Sequence, residues 1–189
     1  MPNNKKLLII SCTNGMGHIR AAEALRLSCQ QQYPSIEVVH FNIADYLNIF
    51  TYFYVISGYK ILSKYMPSLY RQIYYQTDRT IVQKIFTLMQ PLFGLGAKKF
   101  FNYVAKEVKP DVIIATHFLP SLLLPKNFPI PMDTIITDYH AHAIWLSPNN
   151  RNLFVPTEQI QRDLQKLSIS SIVFLFLIKT SSDEETQEF

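Results

Sequence analysis

Asn14 to Leu25 reads NGMGHIRAAEAL, and Gly15, Gly17 and His18 in it are the first residues whose types and spacing could do chemistry. Two glycines around Met16 let a backbone turn tightly and come close to a ligand. The helix start that follows offers N–H groups that attract anions. His18 would stand in the first helical turn, where the positive end of the dipole disfavours an imidazolium. A neutral imidazole so placed is a general base towards a hydroxyl, or else a histidine that caps or packs the turn. A dinucleotide-binding fingerprint is not formed, because Arg20 holds the place of its third glycine.

Two further clusters carry reactive residue types. In Ala115-Thr116-His117, His117 either reaches the same cleft or closes a strand. Thr137 to Trp145 (TDYHAHAIW) gathers Asp138, His140, His142 and the only tryptophan, Trp145. Asp138 follows a strand read as apolar throughout, which places its carboxylate at that strand's carboxyl end. Such a concentration favours a site over packing. Asp138, His140 and His142 with His18 or His117 could also form a metal centre. HxH is a weak signal, however, and neither HExxH nor a carboxylate-rich motif accompanies it, so the metal-free reading is preferred.

These residues need a scaffold that brings them together. Lys5 to Thr13 runs apolar from Leu7 to Ile10 and reads as a buried strand. Ile19, Ala22, Leu25 and Cys29 recur at helical spacing after it. Further strands are expected at Ile36 to Ile43, Val112 to Thr116, Met132 to Thr137 and Leu153 to Val155. Between them, two helices broken near Pro67 are expected in Tyr46 to Tyr75, with others at Thr80 to Met89, Ala97 to Val108 and Glu158 to Leu167. Lys109-Pro110 ends one of these, because proline disfavours helix at the residue before it. Strands alternating with helices predict an α/β fold with a mostly parallel sheet, whose ligands sit at the strands' carboxyl ends.

Composition bounds the rest. The chain has 189 residues, 48% hydrophobic and 17% charged, enough for one well-buried domain. Its longest apolar run, Ile172 to Ile178, is far short of the roughly 20 residues that span a bilayer. Lys5 and Lys6 precede only a brief apolar stretch, so a signal peptide is rejected and the chain is placed in a cytoplasm. Cys12 and Cys29 lack metal spacing and read as reduced core residues. Lys60 to Lys109 holds nine basic side chains against two acidic ones, and ten aromatics crowd Tyr46 to Tyr75. No nucleic-acid module is present. Lysines among aromatics on amphipathic helices suit an anionic bilayer surface, and a mixture of core and membrane contact is expected.

GMGHIRAAEAL, ATH and TDYHAHAIW, followed by LFVPTE (Leu153 to Glu158), together resemble the N-terminal domain of the monogalactosyldiacylglycerol synthase and processive diacylglycerol glucosyltransferase family. The resemblance runs from Leu7 to about Leu167 and is specific in its order of motifs. It implies the N-terminal half of a GT-B glycosyltransferase built of two Rossmann-like domains. This half would take the lipid acceptor and touch the membrane, and the other would hold the UDP-sugar. Metal-free inverting transfer of a hexose from a UDP-sugar to diacylglycerol is implied, with no cofactor beyond that donor. His18 becomes the candidate base, Gly15 and Gly17 shape the loop beside the sugar phosphate, and His117, Asp138, His142 and Trp145 line the acceptor side of the cleft. The implied partners are diacylglycerol or a related lipid and an anionic membrane. The implied location is peripheral, at the inner face of the cell membrane.

Some residues depart from the family pattern. Met16 stands where many members have glycine, and Asn149, Asn150 and Asn152 replace an aspartate common before FVP. The chain divides into an acceptor domain at 1–167 and a tail at 168–189 that resembles neither linker nor sugar-nucleotide domain. A frameshifted or truncated gene is the expectation, with glycosyl transfer requiring a separately supplied donor domain. The alternative is a non-catalytic membrane- or lipid-binding remnant.

Overall fold

The computed structural model describes residues 5–13, 16–69, 96–138 and 141–173. Gly15, His140, the helix expected at Thr80 to Met89 and the chain from 174 onwards lie outside the described residues. Among the described residues, six strands form one sheet: β1 (Lys6–Ser11), β2 (Glu37–Asn42), β3 (Val112–Ala115), β4 (Met132–Ile135), β5 (Asn150–Val155) and β6 (Ile172–Val173). Their order is β2-β1-β3-β4-β5-β6, and every neighbouring pair is parallel. This is the Rossmann-like α/β architecture expected. β6, which pairs Ile172 with Phe154 and Val173 with Val155, lies within the stretch read as a tail.

The two-residue period of β1 sends alternate side chains to opposite layers. Leu7 and Ile9 meet Ala22 on helix α1 (Met16–Gln32), with Leu25 and Cys29 packed alongside. Leu8 and Ile10 face the other way, into a core with Ile56, Phe100, Phe101 and Val104. Among the described residues, two long helices supply much of that second layer. In α2, Ile49–Thr51, Tyr52–Ser57 and Gly58–Tyr65 run on from one another, the middle piece with the wide turn of a π-helix. Asn48 caps its start, accepting from the Thr51 N–H at 2.8 Å, and it ends at Met66, next to Pro67 as expected. In α3 (96–108) the last piece, Val104–Val108, is again π-helical. The chain leaves it through Lys109 at φ 49°, whose N–H bonds the Val104 carbonyl. Two shorter helices follow, α4 (Phe118–Leu123) and α5 (Glu158–Lys166).

The strand before Asp138 is not apolar throughout, contrary to the sequence reading. Asp133 on β4 is buried, and its carboxylate accepts from Arg151 Nε at 2.9 Å and from Asn152 at 3.0 Å. A buried carboxylate is tolerable there because a cation and an amide on the neighbouring strand satisfy it.

The order of the strands fixes where a ligand can sit. The chain steps from β1 to β2 on one side and then crosses to β3 on the other, so the order reverses between β1 and β3. At such a switch point the loops leaving adjacent carboxyl ends diverge and open a crevice.

Candidate functional site

His18 stands in the first turn of α1, just beyond the carboxyl end of β1. Thr116 and His117 leave β3, and Thr137 and Asp138 leave β4. These three exits are neighbours only because β1, β3 and β4 are adjacent in the sheet. His18 Nδ1 lies 3.0 Å from the Thr116 carbonyl oxygen and 2.6 Å from the Thr137 hydroxyl. In return, the Thr116 hydroxyl donates to the His18 carbonyl at 2.9 Å. The imidazole is thus anchored at its backbone and at one ring nitrogen.

Behind it is an aromatic wall. The rings of His18 and His117 meet edge to face with centroids 4.5 Å apart, and Trp145 lies 6.1 Å from His18. His117 is 1% exposed, and its Nδ1 accepts the Leu119 N–H at 3.0 Å, capping α4. Trp145 is fully buried and donates from Nε1 to Asp138 at 3.0 Å, which fixes that carboxylate. His142 is buried as well, and its carbonyl accepts the Trp145 N–H. Asn150 ties the loop down by donating to the Trp145 carbonyl at 2.9 Å while accepting from Thr134 on β4 at 2.8 Å.

Burial lowers the pKa of His18, while the Asp138 charge and the Thr116 carbonyl work in the opposite direction without overcoming it. His117 is pushed well below the ordinary histidine value, first by burial and then by the proximity of His18. Both imidazoles are neutral at neutral pH, and a neutral His18 can accept a proton.

The structure therefore gathers His18, His117, Asp138 and Trp145 into one cluster and sets His142 behind it. Of the four, His18 and Asp138 are partly open, whereas His117 and Trp145 support them from the interior. Gly17 lies in the first turn of α1, exposed, with open space where a Cβ would stand. The residues that sequence reasoning missed are Thr116 and Thr137 as partners of His18. Each precedes a residue that was singled out, and that position was the only available signal. Among the described residues no group of three or more His, Cys, Asp or Glu is placed to hold a metal ion.

At the same sheet edge, beside β2, a pocket of about 380 Å³ opens between the Tyr46–Asn48 turn and Gly96, Lys99 and Tyr103 of α3. Next to it, α2 carries bulky apolar side chains into solvent: Ile49 is 88% exposed, and Phe53 and Tyr54 are each 57% exposed. Lys60 and Lys64 are exposed on the same helix. Among the described residues no helix is long and apolar enough to cross a membrane.

A parallel sheet with His18 just beyond the end of β1, at the switch point, is a Rossmann-like α/β fold, in which ligands sit at the strands' carboxyl ends. The chain belongs to the monogalactosyldiacylglycerol (MGDG) synthase family, whose profile matches residues 18–173 and so takes in the whole cluster. A processive diacylglycerol beta-glucosyltransferase of Staphylococcus carnosus is 30% identical over 175 residues. Enzymes of the same description from Staphylococcus haemolyticus and Staphylococcus aureus are 27% and 26% identical. Each match covers 88% of this chain and 42% of the relative, so the chain spans less than half the length of the curated relatives it resembles.

Proposed function

We propose that this chain is the lipid-acceptor part of an inverting glycosyltransferase that moves a hexose from a UDP-sugar to diacylglycerol at a membrane surface. The observation that carries the reading is the anchored, neutral His18 at the switch point, within the field of Asp138. In the step assigned to it, the acceptor O–H bond breaks and its proton passes to the imidazole. The hydroxyl oxygen bonds to the anomeric carbon, and the C–O bond to UDP breaks with its electron pair leaving on the nucleotide. The Asp138 carboxylate then favours the imidazolium formed. His117 and Trp145 act from behind as supports, and the open space beside Gly17 and the start of α1 would face the donor phosphates.

The exposed aromatics of α2 and the lysines beside them are the surface proposed to meet an anionic, inner-leaflet membrane. The match covers 42% of the Staphylococcus carnosus relative, and the test includes the rest of that relative to bind the sugar nucleotide.

The test combines the full chain with the remaining part of the Staphylococcus carnosus relative as donor domain, vesicles containing diacylglycerol, and a radiolabelled UDP-sugar. Glycolipid should form, and His18→Ala should reduce it by about 10²–10⁴-fold, the usual contribution of a general base. Undiminished transfer by the His18→Ala chain would remove the base assignment. In a flotation experiment, a chain that stays at the bottom with vesicles of anionic phospholipid would remove the membrane assignment.

A further inference from the structure

The ring nitrogen that His18 turns towards the protein has two oxygen neighbours from two different strand ends. One is the Thr116 backbone carbonyl at 3.0 Å, following β3, and the other is the Thr137 hydroxyl at 2.6 Å, following β4. A carbonyl oxygen has no proton to give, so it bonds Nδ1 only if Nδ1 carries the hydrogen. An unprotonated Nδ1 would bring two lone pairs together at hydrogen-bond distance, in a partly buried place where such a contact is costly. With Nδ1 protonated, both oxygens accept from it and no repulsion remains.

We propose that the Thr116 backbone carbonyl fixes His18 as its Nδ1-protonated tautomer, with the Thr137 hydroxyl accepting a share of the same N–H, and leaves the Nε2 lone pair as the basic atom. The proposal rests on the reading of His18 as the base and names the atom that does the work. Thr116 acts twice, because its hydroxyl also holds the His18 carbonyl and so sets the first turn of α1 against the end of β3. When Nε2 takes a proton, Nδ1–H continues to donate to the Thr116 carbonyl, so the charged ring needs no rearrangement. Wrong-tautomer histidines fail as bases even when their position is intact, which is why a carbonyl that selects the tautomer matters to the reaction.

The experiment reads the tautomer directly. Long-range ¹H–¹⁵N correlation spectra of the full chain with labelled histidine report which ring nitrogen of each neutral imidazole is protonated, and His18→Asn identifies the His18 signals. His18 should show a protonated Nδ1 and an unprotonated Nε2 at neutral pH. Thr137→Val should leave His18 Nδ1-protonated, because the backbone carbonyl that selects this tautomer remains and the hydroxyl removed can also donate to the competing form. An Nε2-protonated His18 in the unaltered chain overturns the proposal, and so does a switch to Nε2–H in Thr137→Val. Should Thr137→Val fail to fold, the spectrum of the unaltered chain decides the matter alone. The base reading fails separately: a correct tautomer together with full transfer by His18→Ala would sink that reading and leave the tautomer assignment standing.

Discussion

Acid should weaken this fold through His117, and the amount follows from its burial. The ring is 1% exposed, packs against His18 and uses its Nδ1 lone pair to accept the Leu119 N–H. Protonating it would bury a charge and remove the acceptor that caps α4, so its folded pKa lies well below the ordinary 6.5. The unfolded chain still binds the proton near that ordinary value. Between the two pKa values the unfolded state therefore holds more protons, and stability falls as the pH falls. For a ring that stays neutral throughout in the folded state, lowering the pH from 7.5 to 5.5 costs about 1.4 kcal/mol. His18 adds to this in the same direction, because its pKa is also lowered. The assay is urea unfolding at both pH values for the unaltered chain and for His117→Asn, whose amide oxygen can keep the cap without titrating. The variant starts less stable because a smaller side chain leaves a gap. Its loss between the two pH values should nevertheless be smaller by about 1.4 kcal/mol. Equal losses in the two chains would refute the placement of His117 as a buried neutral cap.

Three further substitutions test the scaffold around the site. Gly96→Ala would put a Cβ 2.7 Å from the Asn48 nitrogen and 2.8 Å from the Tyr46 carbonyl oxygen, both backbone atoms that cannot swing aside. A loss of about 1–3 kcal/mol is expected in thermal unfolding, as for other overpacked positions. Asn152→Asp would replace a donor to the buried Asp133 by a second carboxylate, so about 1.5–3 kcal/mol should be lost at neutral pH, and part of it regained as the pH falls towards 4, read by urea unfolding. Thr157→Ala removes the hydroxyl that accepts from the Ile160 N–H at 3.3 Å and should cost about 1 kcal/mol in the same assay.

Much of this molecule was legible from residue type and spacing. The apolar run of β1, the stripe Ala22, Leu25 and Cys29 and the proline after Lys109 gave the strand, the packing face of α1 and the end of α3 because each acts locally. Asp138 and Trp145 could be singled out because so many reactive types crowd Thr137 to Trp145, whereas His18 and His117 stayed open between a chemical and a structural role. The asparagines were less readable. Asn150 and Asn152 stood out only as departures from a pattern, whereas in the folded chain they bond to Trp145, Thr134 and Asp133. Asp133 itself was passed over, since a single carboxylate in an apolar run shows its partner only when β5 lies beside it.

The sequence by itself determined that this is a parallel α/β chain with a glycine-flanked histidine at the first strand-to-helix turn. Backbone propensity and the two periods of apolar residues are properties of neighbouring positions, and neighbouring positions are what a sequence prints. Tertiary structure alone decided that β1, β3 and β4 lie side by side. That adjacency carries residues 98 and 119 positions away in the chain to one imidazole. It buries His117 and Trp145 behind that ring and fixes which nitrogen of His18 faces the protein. Those outcomes depend on which strand exits meet at the switch point, and strand order is set by the packing of the whole sheet.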